Sequence, residues 1–244
     1  MTDIFQIASI GMLDGRQRLE AVSQNAASNG LAGYRRHVVA GSPFDDLLRP
    51  SAAATSAASP SAPVDTTEGS SVNLQPGAKT YTGRALDVAI DSDDQFFALT
   101  DGTRTWLTRS GAFRLNDDGV LVGEGGLRVV GTQGDVHLAG IDVTVGADGR
   151  IAKQGETVAS LQLFRVDAPT SLRAAQGSLL TAPGGMKPAE DGRVRGGMLE
   201  ASNTDSAHEI LDAMSVSRQF EAMSRVVQSY DGVLGEAIEK LGGI

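Results

Sequence analysis

Three histidines, one acidic cluster and one glycine-rich loop are the groups in this chain whose types and spacing could do chemistry. His37, His137 and His208 could ligate a metal, but they lie in different regions with no second ligand at helical or hairpin spacing. They read as surface histidines. Asp91-Ser92-Asp93-Asp94 alternates carboxylates as a calcium loop does. Phe96, however, stands where that loop needs its glycine, and Gly102 where it needs its closing glutamate, so a strand-end turn is expected. Gly123-Glu124-Gly125-Gly126 has the composition of a phosphate loop but sits between two predicted strands, with no helix N-terminus behind it to hold an anion. There is no Gly-x-Ser-x-Gly elbow. The sequence therefore assigns no catalytic residue, no metal ligand, no cofactor and no small-molecule substrate.

The charge balance narrows the partners. With a net charge of −9, the chain lacks the basic footprint that nucleic acid requires, and anionic membrane surfaces are disfavoured for the same reason. It contains no cysteine, which rules out disulfides and thiolate-bound zinc. No apolar run approaches the ~20 residues needed to span a bilayer. The N-terminal residues lack a basic leader and do not read as a cleaved signal peptide, so the chain is expected either to stay in the cytoplasm or to leave by a route that keeps its N-terminus.

The elements that could position functional residues are of two kinds. At the N-terminus, Met1, Phe5, Ala8, Met12, Gly15, Leu19, Val22 and Ala26 alternate spacings of four and three, which draws a stripe along one helix face. Ser28 to Gly33 then supplies residues that stop a helix. At the C-terminus, Ala213, Val216, Phe220, Met223, Val227, Tyr230, Leu234, Ala237 and Leu241 repeat the alternation over four heptads. Asn203 or Thr204 is the expected N-cap.

Between the ends the pattern changes. Ser51 to Pro63 is almost entirely alanine, serine, threonine and proline, which reads as low-complexity linker. From Gly77 to Arg195, short β-rich runs at 86–90, 96–100, 106–109, 119–122, 127–130, 141–145 and 160–166 alternate with turns. Asp101-Gly102, Asp118-Gly119 and Asp148-Gly149 mark hairpins, because glycine supplies the positive φ that tight turns need. The predicted class is α+β: coiled-coil-like terminal helices flank a central antiparallel β domain. The expected division is an assembly helix over 1–33, a linker over 34–76, a β-rich domain over 77–195 and a second assembly helix over 196–244.

Four motifs, in order, resemble the bacterial flagellar rod and hook family. Val22 to Arg36 is similar to its N-terminal signature through Asn25 and Gly33-Tyr34-Arg35, with Ala26, Ser28 and Ala32 departing from it. Leu86-Asp87-Val88-Ala89-Ile90 followed by Phe96-Phe97 resembles its strand pair, with Ser92 and Asp94 in place of two glycines. Thr108-Arg109-Ser110-Gly111-Ala112-Phe113 resembles a third motif. Gly197-Met198-Leu199-Glu200-Ala201-Ser202-Asn203 resembles a fourth. Thr80 to Asp87 and the modest length look most like the proximal-rod branch, with distal-rod and hook branches behind it.

The resemblance implies a structural subunit, not an enzyme, that polymerises into the periplasm-spanning rod of the basal body. Its implied partners are copies of itself, other rod proteins and the flagellar export apparatus. The implied assembly interface is Phe5, Ala8, Met12, Leu19 and Val22 with Val216, Phe220, Met223, Val227, Tyr230, Leu234 and Leu241. The rival expectation is a soluble β-domain binding protein whose two terminal helices pair within one chain.

Overall fold

The computed structural model describes residues 2–39 and 70–242. Side chains of 2–9, 70, 231 and 234–242 are not described, so Phe5, Ala8, Leu234 and Leu241 are placed by backbone alone. The 51–63 segment lies outside the described residues. The chain forms two compact units.

The helical unit holds residues 1–24 and 206–244, together with 39–69. Helix α1 spans Thr2–Ala27 and helix α2 spans Ser206–Gly242. They approach where α1 is smallest: a β-carbon on Gly15 would lie 4.0 Å from Val216 Cγ1. Val22, Val216 and Met223 are buried, Met12, Val227 and Tyr230 are half-buried, and Leu19 and Phe220 are exposed. Both stripes thus include side chains that remain open to solvent.

The β unit holds residues 25–38 and 70–205. Every strand pairing given a register in it is antiparallel, from hairpins to the pairing of Leu163–Val166 with Gln95–Thr100. The α+β class is as expected. Gln95–Thr100 is the central strand, paired with Thr105–Thr108, Arg128–Gly131 and Leu163–Val166. Alternation along it feeds two cores. Phe97 and Leu99 join Val88, Ile90, Phe113 and Leu121, whereas Phe96 and Ala98 join Leu107, Val166, Leu172 and Leu180. That two-sided burial explains why the strand reads as a continuous apolar run.

Gly102, Gly119 and Gly149 all have positive φ, as the Asp-Gly turns require. Asp101 shows the mechanism, since its Oδ1 accepts the N–H groups of Thr103 and Arg104, both at 2.7 Å.

Two strand expectations need correction. Only Thr144–Val145 of 141–145 is strand, and Ile141 is exposed. The 160–166 run is two strands, because the chain changes sheets there. Glu156–Ser160 pairs with Arg150–Lys153, and Leu163–Val166 pairs with the central strand.

Candidate functional site

Sequence reasoning found the signature residues but not what joins them. Three of the four signature segments, far apart in the chain, close on one another as a buried polar cluster in the β unit, and the fourth packs beside it. The cluster begins at the end of α1. Asn25 is fully buried, and its Nδ2 donates to the His37 carbonyl at 2.9 Å. The His37 N–H donates back to Asn25 Oδ1 at 2.8 Å, and the Tyr34 hydroxyl donates to that oxygen at 3.1 Å. The side chain of Asn25 therefore behaves as a backbone peptide facing the strand His37–Val39. It closes the turn between helix and strand.

Gly33 lets this turn press onto the sheet. It has φ +65°, and a β-carbon there would lie 2.2 Å from Ser110 N and 2.3 Å from Arg109 C. Its N–H donates to the Glu200 carbonyl at 2.7 Å. Gly111 is equally constrained, with Val88 O 1.7 Å from where its β-carbon would stand. The remaining apolar signature residues, Leu86, Val88, Phe97 and Phe113, are all buried in the larger core. Phe97 and Phe113 meet edge to face, 5.0 Å between ring centroids.

Glu200 is the centre. It ends the strand Met198–Glu200, which pairs with Lys79–Tyr81, and Leu199 beside it is half-buried. Arg35 Nη2 donates to its Oε1 at 2.5 Å, and the Gly77 N–H donates to the same oxygen at 3.0 Å. Arg109 Nε donates to Oε2 at 3.0 Å. Arg109 Nη1 then donates to the carbonyls of Ser92 and Gln95. Both arginines and the glutamate are essentially inaccessible. Burial pushes the Glu200 carboxyl up, but Arg109 and Arg35 reverse this and hold it below its usual range. Burial lowers Arg35, with Arg109 adding to the effect and Glu200 opposing it.

Asn203 lies in the segment just before α2. Its Nδ2 donates to the carbonyls of Asn73 and Gln75 at 2.9 and 2.8 Å, and its Oδ1 accepts the Arg36 N–H at 2.6 Å. Thr204 Oγ1 donates to Asn29 Oδ1 at 2.8 Å and meets Ser202 Oγ at 2.7 Å. These side chains hold residues 203–204 against residues 29–36 and 73–75. Tyr34 joins the two segments, through its hydroxyl to Asn25 and its carbonyl to the Asn203 N–H at 3.3 Å.

The groups singled out for chemistry have other employment. Asp91 lies 3.0 Å from both Lys79 Nζ and Arg195 Nη2, and the Lys79 contact leads in holding its carboxyl below the usual range. Asp94 pairs with Arg165. Glu124 accepts from the Ser178 N–H at 3.0 Å, so its glycine-rich turn is a sheet tether. His137 and His208 are exposed, but His37 is not a surface histidine. It is buried and stacked on Tyr34 at 5.3 Å, and burial lowers its pKa. Among the described residues, no three His, Asp or Glu side chains are grouped to hold a metal. Asp87 is buried with Oδ1 3.7 Å from Arg84 Nε. Arg109 was missed as a site residue, although a cation following Trp106-Leu107-Thr108 signals a buried partner.

These shifts predict a two-stage loss of stability on acidification. His37 is lowered in the fold, so the unfolded chain binds its proton first. Its contribution is complete above the ordinary value of 6.5 and declines below it. Glu200 is also lowered, so its contribution is complete above the ordinary 4.5 and is lost as pH falls through its folded value. Urea midpoints at pH 7.5, 5.5 and 4 should fall in that order. His37→Gln should flatten the first interval only; an unchanged slope there would remove His37 from the account.

The cluster's polar groups are buried and turned on one another within the β unit, the arrangement of a structural network. Residues 195–240 match the family described as flagellar basal body rod FlgEFG protein C-terminal. The chain is 30% identical to the flagellar basal-body rod protein FlgF of Rhizobium meliloti (strain 1021), over 93% of this chain and 92% of that one. It is 30% identical to FlgF of Caulobacter vibrioides over 94% of both, and 26% identical to the rod protein FlgG of Bacillus subtilis over 93% and 95%. The chain belongs to the flagellar basal-body rod protein family and is of the FlgF type, a structural subunit of the flagellar rod serving motility.

Proposed function

We propose that the chain polymerises through its terminal helices, with copies of itself and with other rod proteins, into the helical shaft of the proximal rod. The heptad stripes of α1 and α2 are its coiled-coil-like assembly surfaces, and residues 77–195 form its β domain. It performs no catalysis, needs no cofactor, and leaves the cell through the flagellar export apparatus without a cleaved signal. The observation that carries this is the apolar surface left open on the helical unit. Leu13, Leu19 and Phe220 are 41%, 42% and 46% exposed. They line a cleft of about 610 Å³ between α1 and α2. A helix that keeps apolar side chains in water after pairing with its neighbour still has surface to bury.

Phe220→Asp tests the proposal. The site is open in the single chain, so the substituted protein should fold with unchanged circular dichroism. In an assembled rod it buries an unpaired carboxylate at a cost of several kcal/mol. Cells lacking the native chain and expressing the variant should be non-motile and show no hook-basal bodies in electron micrographs. Swimming cells would rule this face out as an assembly surface.

A further inference from the structure

Of the five asparagines in the chain, Asn29 alone precedes a glycine, and its surroundings differ from those of the rest. Asn25, Asn73, Asn116 and Asn203 each hold a backbone N–H on the side-chain oxygen. Asn29 and Gly30 are exposed, in the turn that follows α1. Asn29 Oδ1 accepts the Thr204 hydroxyl at 2.8 Å, while among the described residues its Nδ2 makes no hydrogen bond. Nor, among the described residues, does the Gly30 N–H donate to a backbone carbonyl. Nothing lies within 4 Å of the Gly30 β-carbon position, so the approach to its nitrogen is open.

The Thr204 hydroxyl is set for donation. Its proton is committed to Asn29, so Ser202, whose Oγ lies 2.7 Å from Thr204 Oγ1, is the donor in that second contact. A hydroxyl that receives a hydrogen bond is polarised and donates more strongly in turn. The Thr204 N–H donates to Ser202 Oγ at 3.2 Å and keeps the pair together. A donor aimed at a carbonyl oxygen stabilises the negative charge that grows there when the carbon is attacked.

We propose that Asn29 is a self-modification site, where the chain converts its own side-chain amide to a carboxylate. The Gly30 nitrogen loses its proton to hydroxide and bonds to Asn29 Cγ, and Thr204 holds the oxyanion that forms at Oδ1. The Cγ–Nδ2 bond then breaks. Nδ2 takes a proton from water and leaves as ammonia, which closes a succinimide ring. Water opens the ring by adding at Cγ, to leave aspartate at position 29, or at the main-chain carbonyl carbon, to leave isoaspartate. Nothing is oxidised or reduced; water is consumed and ammonia released. Isoaspartate carries the main chain through the side chain and lengthens it by a carbon. The bond from the Leu31 N–H to the Ser28 carbonyl, 3.0 Å, spans that link and closes the turn. Older copies of the chain are thus marked by an added charge and, in the isoaspartate form, by an altered turn.

The full-length chain, aged at mildly alkaline pH in water labelled with heavy oxygen, tests this. Trypsin releases residues 19–35 as one peptide holding both Asn25 and Asn29, and fragment masses separate the two. Labelled carboxylate is expected at position 29, with Asn25 unchanged. Thr204→Val removes the oxyanion donor and should slow the conversion about fivefold or more, whereas Thr204→Ser should keep the native rate. Gly30→Ala crowds the attacking nitrogen and should slow it by at least about tenfold. Circular dichroism checks that each variant is folded. An unmodified Asn29 in the native chain overturns the site. An equal or faster rate in Thr204→Val shows that the hydroxyl restrains Asn29 instead of activating it, and overturns the mechanism.

Discussion

Glu200→Gln is expected to destabilise the β unit by about 3–5 kcal/mol, the cost of breaking a buried ion pair from one side. The change keeps the shape of the side chain and removes its charge. Two guanidiniums that both converge on that carboxylate, Arg35 and Arg109, then remain buried with no counter-ion. A stability of 5–15 kcal/mol is usual for a whole domain, so much of the margin goes. Urea denaturation followed by Trp106 fluorescence measures it. A midpoint within error of the native chain would show that the cluster is wetter or looser than its distances imply.

Gly33→Ala should be of similar severity. The left-handed φ disfavours any side chain, and the added carbon would meet backbone atoms at 2.2 and 2.3 Å, which cannot rotate away. The sheet must part from the turn, which also stretches the Gly33 N–H bond to Glu200. A loss of roughly 3 kcal/mol or more is expected. Gly30, three residues earlier, is the control. Nothing lies within 4 Å of its β-carbon position, so Gly30→Ala should stay within about 0.5 kcal/mol of the native chain. Equal effects at the two positions would mean that loss of glycine flexibility, not the close approach, sets the cost.

Local signals were legible in the sequence, and long-range ones were not. The alternation from Met1 to Ala26 marked α1 to within a residue at each end, because helix period and stop signals are properties of neighbours. The Asp-Gly pairs marked hairpins for the same reason. The signature residues could be named from the sequence, but not why they are required. Arg35 meets Glu200 across 165 positions, and no spacing rule spans that distance. His37 looked like a surface histidine because two arginines precede it and no second ligand stands at a regular spacing; its burial comes with the bonds of its backbone to Asn25 and its stacking on Tyr34. Residues 73–76 read as linker, with Gly77 as the edge of the β-rich domain, since an extended stretch outside any strand carries little pattern. They serve by offering backbone groups, the Asn73 and Gln75 carbonyls and the Gly77 N–H, and backbone groups have no letter in a sequence.

The wide separation of the partners in the signature cluster bears on how the chain is delivered. Arg36 waits for Asn203 across 167 positions, Asn29 for Thr204 across 175, and Arg109 for Glu200 across 91. Any process that releases the polypeptide from its N-terminus holds these groups in water until residues 200–204 have emerged. Contacts of such separation form late and slowly, since loop-closure entropy must be met before they stabilise anything. The fold is thus timed by its own C-terminal fifth: four-fifths of the chain can be released before the cluster that locks it is able to assemble.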